Sequence, residues 1–214
     1  MTKRAMGYTL FIIAVLSIWG TVEYNRQNSM SKPELAVLNK LLAINVTDKQ
    51  ITRIKLSNEL VQKFPAVNQM YEVLAGKEKF YAFVVSPIGY RSPINMMVVI
   101  DAQKSQVKGI RVMQHDETPG YGDWLVESWF TDRFKEKTLD KYLHRVILEA
   151  EDSHDIIQIT GATATSQAAI NGVNAAIGIY REIILKEKAN PVPLKVEADK
   201  GTVLLSGSRC SSGV

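Results

Sequence analysis

The chain opens on an apolar block without a charge. From Ala5 to Val22 no residue is charged, and Leu10, Phe11, Ile12, Ile13, Val15, Leu16 and Ile18 dominate the run. At about 1.5 Å of rise per residue, a helix of this length matches a hydrocarbon core of about 30 Å. Tyr8, Trp19 and Tyr24 stand near its ends, where amphipathic aromatics favour the membrane interface, and Lys3 and Arg4 precede it. The pattern predicts a single transmembrane anchor over 5–24, a cytoplasmic N-terminus over 1–4 and the main body outside the cytoplasm. A cleaved signal peptide is the alternative. The run is long for one, and no clear Ala-x-Ala site follows. Residues 25–78 then read as a linker and a helical, membrane-proximal region. Leu35, Leu38, Leu41 and Leu42 line one helical face, opened by Pro33 with Ser31 or Lys32 before it. Residues 45–63 alternate charged and apolar positions, and 67–74 fits helix and strand equally.

The pattern changes after Glu78. Lys79–Val85, Asn95–Ile100 and Val107–Met113 are short runs of β-branched and aromatic residues, separated by Pro87 and by the polar turn 101–106. Short connections of this kind predict an antiparallel meander. Residues 123–136 switch to helical spacing, with Trp124 and Trp129 expected in the core, or Trp124, close to the glycine loop, at the edge of a ligand. Asp155–Ile159 reads as one more strand. Ile170, Val173, Ile177, Tyr180 and Ile184 then line one face of a long amphipathic helix. Strands grouped before the main helix give an α+β class. The body is expected over 79–188, with a flexible tail over 189–214 that ends in Ser and Gly.

Composition narrows the chemistry. A net charge of +4, with Lys and Arg spread along the chain, gives no basic patch interleaved with aromatics, so nucleic acid is not expected as a partner. The single cysteine, Cys210, can form neither an internal disulfide nor an iron–sulfur cluster. His115 has no second histidine at ligand spacing, so no metal site is expected.

Two stretches stand out. Thr160-Gly161-Ala162-Thr163-Ala164-Thr165-Ser166 lies between a strand and a helix start, with Thr165 or Ser166 expected to cap the helix. Free backbone amides and the positive dipole end at such a place favour a phosphate. The string is neither a P-loop nor a dinucleotide fingerprint, and by itself it reads as a plain strand-to-helix turn that allows a phosphate without demanding one. His115-Asp116-Glu117-Thr118-Pro119-Gly120-Tyr121-Gly122 is a glycine loop at the end of the last meander strand. Gly120 and Gly122 permit a close backbone approach, and Pro119 stiffens the turn.

Both stretches, with Gly89-Tyr90-Arg91-Ser92-Pro93-Ile94 as a weaker third, resemble motifs of the FMN-binding domain family. That family includes the G-type member of the Rnf electron-transport complex and the C-type member of the sodium-pumping NADH:quinone reductase. Ile157 stands where the family usually has Asp, and Tyr121 where it usually has Leu. The resemblance implies FMN joined by a phosphoester to Thr163 through a dedicated flavin transferase, with Thr160, Gly161, Ala162 and Thr165 around the phosphate. It implies that Glu117, Thr118, Pro119, Gly120, Tyr121 and Gly122 lie against the flavin. No residue is given a catalytic role. The implied protein is a G-type subunit that relays electrons in an Rnf ferredoxin:NAD+ oxidoreductase coupled to ion translocation, in contact with other subunits and membrane lipid. The related quinone-reductase subunit and a membrane-tethered domain outside any pump are the alternatives.

Overall fold

The computed structural model describes residues 29–195. The expected anchor over 5–24, the segment 1–4 and most of the tail over 189–214 therefore lie outside the described residues. Among the described residues no helix is long and apolar enough to cross a membrane.

The first element is α1 (Lys32–Leu42). Ser31 and Glu34 form a capping box: the Glu34 amide donates to Ser31 Oγ at 3.4 Å, and the Ser31 amide to the Glu34 carboxylate at 2.9 Å. Pro33 sits in the first turn, as its fixed φ and missing N–H allow. Strand β1 (Ile51–Ile54), a short α2 (Asn58–Lys63), β2 (Val67–Ala75), β3 (Glu78–Val85), β4 (Asn95–Asp101) and β5 (Gln106–Gln114) follow. The five strands pair in chain order, each antiparallel to the next. The meander expected for β3 to β5 is present. It also extends by β1 and β2, which fall inside the stretch read as linker and helix. Asn68, Gln69 and Glu72 break the apolar alternation of β2, and Glu72 is drawn into an ion pair with Lys79 on β3.

The sheet is covered on both faces. Tyr71, Phe80, Val84 and Met97 pack with Leu38 and Leu42 of α1 on one side. Met70, Phe83, Met96 and Val98 face the later helix on the other. This is why Phe80–Val85 and Met96–Ile100 are continuous apolar runs: each successive side chain enters one core or the other.

After β5 the chain runs along that strand's open edge. The continuous helix expected over 123–136 is instead three short pieces: a 3-10 turn (Gly122–Val126), α3 (Ser128–Thr131) and a 3-10 turn (Asp132–Phe134). Extended backbone at Glu127 separates the first two, and extended backbone at Lys135 ends the third. The segment then bonds to the edge through the Val107 amide to Lys137 O and the Glu136 amide to Val107 O, each at 2.8 Å. Covering an edge in this way removes a site of unwanted strand pairing. Leu125, Phe130 and Phe134 point inward. Trp124 and Trp129, expected in the core, are exposed, because the breaks turn them outward into edge contact with each other.

Strands β6 (His144–Val146) and β7 (Asp155–Ile157) form a separate parallel pair. His154, between them in the loop, is buried; its Nε2 lies 3.0 Å from Asp140 and its Nδ1 2.9 Å from Asp152. The long helix is α4 (Thr163–Tyr180). It is not amphipathic: from Thr165 to Tyr180 only Gln167 is short of full burial, because the sheet lies on one side and the β6–β7 pair and the edge segment cover the rest. Ile184, the last residue of the expected stripe, lies beyond α4 in a π-helical turn.

Candidate functional site

The first turn of α4 lacks a side-chain cap. Its N-cap position is Ala162, which has no side-chain oxygen to offer, and Thr163 is the first helical residue. The first amide with a helical acceptor is that of Ser166, bonded to Ala162 O at 3.0 Å. The amides of Thr163, Ala164 and Thr165 are thus open donors at the positive end of an 18-residue helix.

Neither residue expected to cap the helix does so, because the helix starts earlier and places both inside its first turn. The Thr165 hydroxyl is buried and donates to Glu117. The Ser166 hydroxyl is buried, accepts from the Ile159 amide at 2.9 Å and donates to Ala162 O at 2.9 Å. Of the four hydroxyls in the motif, only those of Thr160 and Thr163 have no hydrogen-bond partner among the described residues. Thr160 is exposed and precedes the turn; Thr163 is half-buried at the open helix start.

The glycine loop stands against this turn. Thr118 O accepts from the Tyr121 amide at 3.2 Å and from the Asp123 amide at 3.3 Å. Pro119 and Gly120 occupy the two central places, and Gly120 has φ +75°, as the third residue of a type II turn requires. The turn projects Tyr121 across to the motif: a Cβ on Gly161 would stand 3.1 Å from Tyr121 Cδ1. Gly161 also has φ +78°, so two independent constraints favour glycine there.

Glu117 joins the parts. It is only 4% exposed, so its hydrogen bonds are made to the protein and not to bulk water. One carboxylate oxygen accepts from the Arg91 amide at 3.1 Å; the other accepts from the Tyr90 amide at 3.2 Å and from the Thr165 hydroxyl. The three stretches singled out in the sequence therefore meet at one carboxylate. Tyr90 and Arg91 were not named as site residues; the weaker motif match over Gly89–Ile94 was their signal. Nearby, Asp123 Oδ1 is buried without a partner, as is Asn95 Oδ1 across the β4–β5 ladder from Gln114. Buried acceptors rarely go unsatisfied, so this end of the sheet has spare capacity for donors.

The residues present suit a phosphate monoester: open amides and an unengaged hydroxyl share one helix start, and Tyr121 of the neighbouring turn stands against Gly161 just before it. Residues 89–178 match the model of the FMN-binding domain family, and this span contains all three stretches. Beyond this domain, the chain is similar to the G-type subunit of the ion-translocating oxidoreductase complex of Aliivibrio fischeri, with 26% identity over 92% of this chain and 97% of that one. The corresponding G-type subunit of Shewanella loihica is 32% identical over 50% of this chain and 52% of its own length. Among solved structures, Shewanella oneidensis NqrC is similar over 52% of this chain and 54% of that chain, with 25% identity and a TM-score of 0.40.

Proposed function

We propose that this chain is the G-type, electron-relaying subunit of an Rnf-type ferredoxin:NAD+ oxidoreductase coupled to ion translocation. In this reading FMN is held covalently through a phosphoester to Thr163, and the domain sits outside the cytoplasm on an anchor over 5–24. The observation that carries it is the pairing of an unengaged Thr163 hydroxyl with three open amides on the same helical turn. Thr165 and Ser166 have their hydroxyls committed elsewhere, which leaves Thr163 as the acceptor that the helix start can serve. A phosphoester retains a cofactor that would otherwise be lost by dilution outside the cell's interior.

FMN, when bound, supplies the electron chemistry. The chain's own residues hold and orient it. The open amides neutralise phosphate charge. The 118–122 turn walls one side of the ring, with Tyr121 braced on Gly161. The relatives' name, a subunit of an ion-translocating oxidoreductase complex, supports partner subunits; in this reading those partners hold the ferredoxin, nicotinamide and ion-conducting sites, and attachment calls for a flavin transferase.

The test is intact and peptide mass of the full chain made beside a flavin transferase. The expected result is an added mass of FMN less one water on the peptide containing Thr163, absent from Thr163→Ala. An unmodified Thr163 in the presence of a competent transferase would overturn the reading.

A further inference from the structure

Glu117 lies in the middle of the glycine loop, yet neither of its oxygens faces outward. Three donors from two other segments take them up. The space around the carboxylate is closed as well. A Cβ on Gly89 would stand 2.5 Å from Glu117 Oε1, and a Cβ on Gly122 would stand 3.0 Å from Oε2 and 2.7 Å from the Thr165 hydroxyl. Both glycines are thus required by the carboxylate between them. A buried carboxylate is tolerated only with its acceptors satisfied, and hydrogen bonds to a charged acceptor are about twice as strong as neutral ones. The Gly89–Ser92 loop, the 115–122 loop and the first turn of α4 are therefore fastened as one unit.

Resting on the function proposed above, we propose that Glu117 is a positioning residue, not a flavin contact. Acting through Thr165, it holds the ring-facing loop at a fixed place on the helix that carries Thr163, and so sets the surroundings of the flavin without touching it. On this chain, attachment by the transferase is served by Thr163 at the open helix start. The redox behaviour of the attached flavin depends on where the 118–122 turn stands. Loosening the Glu117–Thr165 bond should then separate the two properties.

The experiment uses the full chain made with a flavin transferase, as wild type, Thr165→Val and Thr165→Ser. Thr165→Val keeps the shape and removes the donor; Thr165→Ser keeps the donor. The expected result for Thr165→Val is FMN still present on Thr163 by mass, lower flavin fluorescence anisotropy, and a midpoint potential shifted by at least tenfold in the one-electron equilibrium, about 59 mV. Thr165→Ser should restore both wild-type values, which a general loss of stability would not do. Wild-type potential and anisotropy in a flavin-loaded Thr165→Val would overturn the proposal. Should Thr165→Val fail to fold, Thr165→Ala removes the same donor without adding bulk and carries the same comparison. Failure of the functional reading shows differently, as wild type without FMN on Thr163. The fastening is then read by amide hydrogen exchange in the unloaded chain, where the Tyr90 and Arg91 amides should exchange at least tenfold faster in Thr165→Val. Unchanged exchange would overturn the fastening itself.

Discussion

Asp152 shows what single residues contribute away from the site. The His154 backbone amide and then the His154 ring hold its carboxyl well below the ordinary value, at about 2. An ordinary aspartate titrates near about 3.9. A depressed folded value means that the contribution is present above the unfolded value and lost as pH falls toward the folded one. Urea unfolding of wild type and Asp152→Asn should therefore differ from pH 7 down to about 4, and converge between about 4 and about 2. A difference that persists unchanged at pH 2 would mean that the aspartate is not the source. The sequence hid this contact because Asp140, Asp152 and His154 sit in a stretch with no clear period. It hid the role of Glu117 for a related reason: the loop motif implied a glutamate against the flavin, and its partner Thr165 is 48 positions away.

Elements were legible where packing follows a simple period. β3, β4 and β5 were read from their apolar runs, and α1 from its leucine stripe and Pro33. β2 was ambiguous, because cross-strand pairing of Glu72 with Lys79 stabilises polar residues that a pattern alone counts against a strand. The burial of α4 was invisible for the opposite reason: small residues such as Ala168, Ala169, Ala175 and Ala176 are compatible with solvent, yet here they let neighbours approach from every side. α1 is part of the folded body and not only a spacer, since Leu38 is fully buried against the sheet. Leu38→Ala should lower unfolding free energy by about 2–5 kcal/mol in urea titration, the range for an aliphatic core truncation. A loss below about 0.5 kcal/mol, typical of a surface change, would place α1 outside the cooperative unit.

Across the described residues the five-stranded sheet lies between two helical layers, with the β6–β7 pair beside α4 and the candidate site at the end of the sheet where β4 begins and β5 ends. The α+β class and the meander were readable from sequence; the second covered face was not, because α1 and α4 are far apart in the chain. Distance along the chain also has a consequence in time. The strands of the meander are close neighbours in sequence, and local contacts form early because closing a short loop costs little entropy. The bonds of Glu117 instead span 26, 27 and 48 positions. Pulse-labelled hydrogen exchange during refolding should protect β3 and β4 before the Tyr90 and Arg91 amides; the reverse order would show that the site nucleates the fold. A chain halted partway would then present a finished sheet beside an acceptor threonine that has not yet met its surroundings, so maturation of the site is the closing event of folding and not its beginning.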